Sequence, residues 1–164
     1  MAIHFVADLN FNGDSALHAI PFGLTDSSEM TRRICEMWRA RVADDDTVWI
    51  LGNVGNAVHL GCLPGVKHLV RGRSDPQPWN CLATGRFASV SDVCRVETEH
   101  GPFTLLSDPA KALECDARVL HGLVAGVWDR PGHTCVAASG LGWGPVSLDA
   151  LMHRNVPMTM SRAA

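Results

Sequence analysis

Short polar or charged side chains follow the apolar segments of this chain at points where a cleft would form. In α/β folds, the carboxyl ends of the strands meet at one edge of the sheet and carry ligand-binding groups. Carboxylates there can act as acids or bases or bind metal ions, and a guanidinium can bind a phosphate or carboxylate. The residues in such positions are Asp8, Asn10, Asn53, Arg73, Ser74, Asp75, Asp108 and His121.

Seven apolar segments predict the β-strands that position these residues. Most are rich in β-branched or aromatic residues and end at a polar or glycine-containing loop, which is typical of buried strands. Residues 93–98 and 103–106 alternate around the turn at His100 and Gly101, so we expect an antiparallel hairpin there. The predicted strands are residues 3–7, 47–51, 66–70, 93–98, 103–106, 118–121 and 134–138.

One long helix is predicted between the first two strands. Asp26 and Glu29 have the spacing of a helix-capping box, and apolar residues then recur at helical spacing up to Val42. A helix that alternates with strands and turns its apolar face to them indicates an α/β fold. The remaining predictions are a loop over residues 52–61 and a short helical segment over residues 147–152.

Length and composition indicate one globular domain. The chain has 164 residues, 46% of them apolar and 19% charged, so we expect a domain over residues 1–157 and a loose tail over 158–164. The net charge of −3 comes with no basic stripe for nucleic acid. The N-terminal sequence has the pattern of neither a signal peptide nor a membrane span. We therefore expect a cytoplasmic protein whose six cysteines are mostly buried free thiols.

The loops after the predicted strands carry a series of motifs along the chain. In order, these segments are Asp8-Leu9-Asn10-Phe11, Gly52-Asn53-Val54-Gly55, Gly72-Arg73-Ser74-Asp75, Leu106-Ser107-Asp108-Pro109 and His121-Gly122-Leu123-Val124-Ala125-Gly126. The series resembles that of the calcineurin-like metallophosphoesterases, especially their small bacterial single-domain members. Their motifs are D-x-H-F-G-H, L-G-D-F-G, G-N-H-D, L-S-H-Y-P and H-G-H-x-H-G. The resemblance spans nearly the whole chain and implies a sandwich of two mixed β-sheets flanked by helices.

Most of the residues that hold two metal ions in that family are replaced here. Asp8 and Asp75 match aspartates of the family motifs, and Asp108 falls near the histidine of L-S-H in a motif one residue shorter. Asn53 stands where the resemblance places the aspartate that bridges both metals. The other replacements are Asn10 for histidine, Arg73 for asparagine, Ser74 for histidine, and Leu123 and Ala125 for both histidines of G-H-x-H.

These replacements remove the charge and the lone pairs that a two-metal centre needs. Two divalent cations about 4 Å apart repel each other strongly unless an anionic ligand bridges them, and the Asn53 amide is neutral. Leucine and alanine offer no lone pair, and Arg73 would put a permanent cation in the site. We therefore expect no two-metal centre, although a single weakly held Mg²⁺ on one or two carboxylates stays open.

The leading hypothesis is a protein that has lost catalysis and acts by binding. It would be a scaffold subunit that holds a protein partner, or a binder of a small anion held by Arg73. Asp8 and Asp75 would then cap loops and pair with Arg73 or Arg71. Neither nucleic acid nor a membrane is expected as a partner, and oligomerisation stays open.

Three alternatives stay open beside this hypothesis. One is a metal-independent enzyme whose acid or base in the remodelled cleft would be Asp8, Asp75, Asp108 or His121. Another is a residual phosphoesterase that works with one metal ion. The third is an interaction module without a pocket function, which would dock through a sheet edge or through loops with exposed Trp79 and Trp128.

Overall fold

The computed structural model describes residues 1–13, 26–113, 118–122 and 131–153. Within these residues the chain forms two β-sheets, α-helices and short 3₁₀ helices, which is the α/β class predicted from the sequence. The strands are β1 Ile3–Val6, β2 Thr47–Leu51, β3 Val66–Val70, β4 Ser89–Ser91, β5 Cys94–Val96, β6 Phe103–Leu106, β7 Val119–His121, β8 His133–Cys135 and β9 Val146–Ser147. The α-helices are α1 Ser27–Arg41, α2 Pro78–Ala83 and α3 Leu148–Met152, and the 3₁₀ helices are Ala57–Cys62, Pro109–Lys111 and Ala138–Leu141.

Both sheets are mixed. The first has five strands in the order β4-β3-β2-β1-β9, parallel throughout except for the antiparallel edge strand β9. The second has four strands in the order β5-β6-β7-β8, and only β5 is antiparallel to its neighbour. Because β1, β2 and β3 run parallel and in adjacent order, their carboxyl ends lie side by side at one edge of the sheet.

The predicted long helix is confirmed as α1, which covers one face of the first sheet. Its start is fixed by the Asp26 carboxylate, which accepts a hydrogen bond from the Glu29 backbone N–H at 2.8 Å. Its apolar face, which includes the buried Ile34 and Trp38, shares a core with Ile50 of β2. Burial of each such side chain contributes about 1.5–3 kcal/mol, so packing fixes this helix more than its local propensity does.

The other face of the first sheet packs against the second sheet. Phe5 and Leu51 of the first sheet share a core with Leu105 and Leu120 of the second. Because side chains alternate along a strand, Leu120 in this core places its neighbour His121 on the opposite face of the second sheet. The chain therefore has at least three layers, with α1, the first sheet and the second sheet in that order.

Some element boundaries differ from the sequence prediction. Residues 52–61 were expected to be a loop, but Ala57–Cys62 forms a 3₁₀ helix, capped by the Asn56 side chain. The strand expected over residues 134–138 ends at Cys135. The hairpin is confirmed, since Cys94 to Val96 pair antiparallel with β6.

The cysteine prediction is correct in part. All five cysteines that the structure describes are free thiols, as predicted, but only Cys35 and Cys81 are buried. Cys94 and Cys135 are half-buried, and Cys62 is exposed on the 3₁₀ helix. Cys115 and the predicted tail over 158–164 lie outside the described residues. In the part of the chain that the structure describes, no helix is both long and apolar enough to cross a membrane.

Candidate functional site

The ends of β1 and β2 bring Asp8 and Asn53 into direct contact. The two strands pair in parallel register, so the residues that follow them are neighbours. The Asn53 side-chain amide donates a hydrogen bond to Asp8 Oδ1 at 2.7 Å. Asn53 is almost fully buried, at 6% exposure, so this bond forms in an environment with little competition from water.

The backbone at these strand ends adopts an unusual conformation. Asp8, Asn10 and Asn53 have φ angles of 54°, 43° and 53°, in the left-handed region that L-residues rarely adopt. Aspartate and asparagine tolerate this region best among the residues with a side chain. Backbone hydrogen bonds hold the two turns together, from Asp8 N to Gly52 O at 3.1 Å and from Asn10 N to Asn53 O at 2.8 Å. The fold thus keeps three strained residues together, as functional sites often do.

Asp75 joins this group from the end of β3. One carboxylate oxygen accepts from the backbone N–H groups of Asn53 at 2.8 Å and Gly72 at 2.7 Å, and the other accepts from Val54 N at 2.8 Å. The carboxylate therefore caps two loops, as expected from the sequence. We call Asp8, Asn53 and Asp75 the closed cluster. The side chain of each residue is hydrogen-bonded to another residue of the cluster, and the Asp75 carboxylate is also bonded to the neighbouring loop backbone.

The arginine pairing expected for Asp75 is wrong. In the described part of the chain Asp75 has no ion pair. Arg71 binds Asp92 instead, with Nη2 and Nε at 2.6 and 2.9 Å from the same carboxylate oxygen. Three backbone N–H donors already occupy most of the lone pairs of the Asp75 carboxylate, so a guanidinium could form two parallel hydrogen bonds there only by displacing a donor. Asp8, in contrast, accepts from the neutral Asn53 amide.

Gly72 lets the loops approach each other closely. A Cβ atom on Gly72 would lie 2.6 Å from Asn53 Oδ1 and 2.7 Å from the Ser107 side-chain oxygen. Ser107 is buried, at 5% exposure, and belongs to the segment that follows β6 in the second sheet. The closed cluster is therefore packed where the first sheet meets the second.

Arg73 and Ser74 lie at the rim of the closed cluster and are both exposed. The Ser74 backbone N–H donates to Asn53 Oδ1 at 3.4 Å, so this loop is tied to the cluster. The Arg73 guanidinium makes no hydrogen bond or ion pair within residues 1–13, 26–113, 118–122 and 131–153. It therefore presents a positive charge to solvent beside a strained, packed site.

Asp108 and His121 have roles of their own. Asp108 caps the 3₁₀ helix Pro109–Lys111, accepting from Ala110 N at 3.0 Å. His121 is fully buried, and its Nδ1 donates to the Gly122 carbonyl at 2.9 Å, while Nε2 has no hydrogen-bond partner among the residues that the structure describes. Burial lowers the pKa of His121, although the hydrogen bond to Gly122 and the Asp108 carboxylate oppose this. Of the remaining motif positions, Leu123 and Ala125 lie outside the described residues.

The structure brings together one group of possible metal ligands whose proximity was not predicted from the sequence. Among the described residues, only Glu99, His100 and Asp149 form a set of three whose ligand atoms lie within 4.8 Å of one another. All three are exposed, with His100 Nε2 3.9 Å from Glu99 and 3.7 Å from Asp149, and exposed acidic groups of this kind are common without a metal ion. The group borders a groove of about 450 Å³. Ile3, at the start of β1, lines this groove, whereas Asp8 follows the other end of that strand. Residues fifty positions apart in sequence carry no local signal of this contact.

Comparisons with known proteins support the fold. No family model matches the chain, and no curated protein matches it either. A solved structure does match, namely the crystal structure of AQ665, a protein of unknown function from Aquifex aeolicus. The match has a TM-score of 0.74 and 16% sequence identity and covers 92% of this chain and 97% of that one. The two proteins share a fold. At this level of identity, the comparison carries no information about activity.

Proposed function

We propose that this chain is a metallophosphoesterase-like protein that has lost its two-metal site and acts by binding an anionic group. The observation that carries the proposal is the 2.7 Å hydrogen bond from the Asn53 amide to the Asp8 carboxylate. The resemblance places a metal-bridging aspartate at position 53. Here the Asn53 amide donates a hydrogen bond to the Asp8 carboxylate. In this proposal the amide N–H group takes the place of a metal ion as the partner of that carboxylate.

The hydrogen bonds of Asp75 support the same proposal. A metal ion at this carboxylate would compete with three backbone N–H groups for its lone pairs, and any N–H group that it displaced would lose its acceptor in a buried or half-buried loop. Leaving a buried donor without a partner costs about 1–3 kcal/mol. The closed cluster is thus a stable arrangement in itself and gains little from an ion.

Arg73 supplies the binding function in this proposal. It is exposed, has no partner in the described part of the chain and lies beside the strained turns at Asp8 and Asn53. Guanidinium groups bind carboxylates and phosphates through two parallel hydrogen bonds, which makes arginine well suited to a planar anion. A scaffold subunit would use it on an acidic group of a partner, and a small-anion binder would use it on a free anion.

Phosphate titration and an activity assay test this proposal together. We expect no hydrolysis of bis(p-nitrophenyl) phosphate with added Mn²⁺, and weak calorimetric binding of inorganic phosphate that Arg73→Ala abolishes. Arg95→Ala is the matched control, because Arg95 is also exposed but lies on β5. Metal-dependent hydrolysis, or equal loss of phosphate binding in both variants, would contradict the proposal.

A metal-independent enzyme is the second candidate, and His121 is the observation in its favour. Its buried Nε2 has no hydrogen-bond partner in the described part of the chain, and its lowered pKa favours the neutral form, which can accept a proton. A screen of phosphorylated and carboxylated metabolites for turnover, with His121→Gln and Asp8→Asn as controls, tests this candidate. Turnover that both variants abolish would favour it over the binding protein.

A further inference from the structure

A small pocket lies at the amino ends of the parallel strands of the second sheet. Phe103 and His133 begin β6 and β8, Arg118 directly precedes β7, and all three line the pocket, whose volume is about 240 Å³. Ser107, which follows the other end of β6, contacts the loops of the closed cluster. The pocket is therefore separated from the closed cluster by the length of a strand.

One side of this pocket is an apolar wall. Leu120 and Leu148 are buried in the core between the two sheets, and Leu151 of α3 packs against the same core. Concave sites with apolar walls and a few polar groups are the usual form of a small-molecule site. Pockets for drug-sized ligands typically measure about 300–1,000 Å³, and this pocket is smaller, so its ligand must be small too.

The Arg118 guanidinium forms the polar end of the pocket. Its Cζ atom lies 4.0 Å from the centroid of the Phe103 ring, and its Nη2 donates to Met152 Sδ at 3.1 Å; both of these residues line the pocket. Its Nη1 donates to the His100 carbonyl. A guanidinium has five N–H groups, and these two bonds leave three of them without a partner among the described residues. Arginine stacked on a ring in this way has a fixed plane and free donors at its edge.

The ionisable side chains of the pocket are basic. Among the described residues that line it, only Arg118 and His133 can carry a charge, and none is a carboxylate. Glu99 and Asp149 line the neighbouring groove of about 450 Å³, with which the pocket shares Leu148. An anion therefore complements the pocket, whereas a cation complements the groove beside it.

We propose that this pocket binds a small carboxylate that carries a short hydrocarbon tail. The carboxylate accepts hydrogen bonds from the free edge of the Arg118 guanidinium, and the tail packs against Leu120, Leu148 and Leu151. The inference goes beyond the proposed function and is independent of it, because Arg73 follows the carboxyl end of β3, beside the closed cluster.

Three small molecules test the two halves of this inference separately. Hexanoate has both the charge and the tail, acetate has the charge alone, and hexylammonium has the tail with the opposite charge. With ¹³C-methyl-labelled leucine, we expect hexanoate alone to shift the signals of Leu120, Leu148 and Leu151 in a saturable way. Leu60, in the core on the α1 side of the first sheet, is the internal control and should not shift. No saturable shift with hexanoate, or an equal shift with acetate or hexylammonium, would overturn the inference.

Calorimetric titration of variants with hexanoate tests the role of Arg118. We expect Arg118→Gln to weaken binding at least about ten-fold, because a charged hydrogen-bond donor is lost. Arg95→Gln is the matched control, since Arg95 is an exposed arginine of the same sheet that does not line the pocket, and it should leave binding unchanged. Parental affinity in Arg118→Gln would overturn the inference.

A second pair of variants leaves the contacts of Arg118 in place. Thr134 is exposed on the edge strand β8, lines the pocket and pairs with Leu120, so its side chain is on the same face of the sheet. Thr134→Glu places a carboxylate at the rim and should weaken hexanoate binding at least about five-fold. Thr134→Gln has the same shape without the charge and should keep most of the affinity. This pair decides the matter if Arg118→Gln fails to fold, and an equal affinity of the two variants would contradict the inference.

Discussion

At the scale of single residues, a buried His-Asp pair joins the N-terminus to the turn before β2. His4 Nε2 lies 3.1 Å from Asp46 Oδ2, and the backbone N–H groups of Ala2 and Ala43 donate to the same carboxylate at 2.6 and 2.9 Å. These hydrogen bonds, with that from Ala2 first, lower the pKa of Asp46 to about 2. The ionised carboxylate is thus part of the folded structure.

Asp46 should make stability depend on pH in acid. Its folded-state pKa is depressed from 3.8 to about 2, so its stabilising contribution is complete above the unfolded value and is lost as the pH falls between these values. We expect the urea-unfolding free energy to decrease over that range in the parent, and less in Asp46→Asn. Asp44→Asn, which changes an exposed carboxylate of the same turn, should keep the parental slope.

Restoring one acidic residue in the closed cluster should destabilise it. Asn53→Asp removes the donor to Asp8 and places two carboxylates within hydrogen-bond distance, so we expect a loss of about 1–3 kcal/mol in unfolding free energy. If the proposed function holds, Mn²⁺ should still not bind at this site by calorimetry, because the histidines of the metallophosphoesterase motifs that the sequence resembles are replaced here. Asn80→Asp, on the exposed surface of α2, is the control and should change stability little. Stoichiometric Mn²⁺ binding by Asn53→Asp alone would disprove this reading.

Sequence reasoning at this scale identified positions but not contacts. The motif order placed Asp8, Asn53 and Asp75 at strand ends, and the structure brings these three together. The loop capping by Asp75 was predicted, but the absence of its pairing with Arg71 or Arg73 in the described residues was not, because the three N–H groups converge on the carboxylate only after the loops fold. Nor could spacing show which face His121 occupies, since that depends on its neighbour Leu120 entering the core between the sheets.

At the scale of elements, the loops after β2 and β3 pack so closely that they leave no room for a side chain at Gly72. A Cβ on Gly72 would clash with Asn53 Oδ1 and the Ser107 side chain, at 2.6 and 2.7 Å.

The longer strands were predictable because their apolar runs are continuous, and β2 matches its predicted bounds. Strands β4 and β9 were not predictable, since three and two residues carry no periodicity and only pairing with β3 and β1 defines them.

Gly72→Ala should separate a packing effect from a backbone effect. We expect it to lower the unfolding free energy by about 1–3 kcal/mol, because the neighbouring atoms must shift. Gly85→Ala is the comparison: its φ is +66° but a Cβ there would meet nothing within 4 Å, so only about 1 kcal/mol of backbone strain is expected. Chemical denaturation of both variants measures the difference. Equal losses would show that the loops do not pack as tightly as described.

At the scale of the whole molecule, two sheets share one core. Leu105 is fully buried between them, with Phe5 on the facing strand of the first sheet. The order of the predicted strands and helix indicated the α/β class, and the match to AQ665 supports the fold over 92% of this chain. The order of strands within each sheet could not be read from the sequence, because it depends on contacts between distant segments.

The shared core should make the two sheets unfold together. Leu105→Ala is expected to cost about 2–5 kcal/mol, because it leaves a cavity between the sheets. Tryptophan fluorescence, which includes the buried Trp38 of α1, and far-ultraviolet circular dichroism should report one coincident transition. Arg95→Ala, at an exposed position of β5, should leave the midpoint nearly unchanged. Two separate transitions in Leu105→Ala would show that the sheets are independent units.

Elemental analysis of the purified protein tests the central claim most directly. The protein is equilibrated with Mn²⁺ and Zn²⁺, passed through a desalting column and assayed for bound metal. The double variant Glu99→Gln with Asp149→Asn is carried in parallel, so that an ion on the exposed surface group is not mistaken for one at the closed cluster. Less than stoichiometric metal in the double variant is the predicted result, whereas one or two tightly held ions per chain would contradict the proposed loss of a two-metal site.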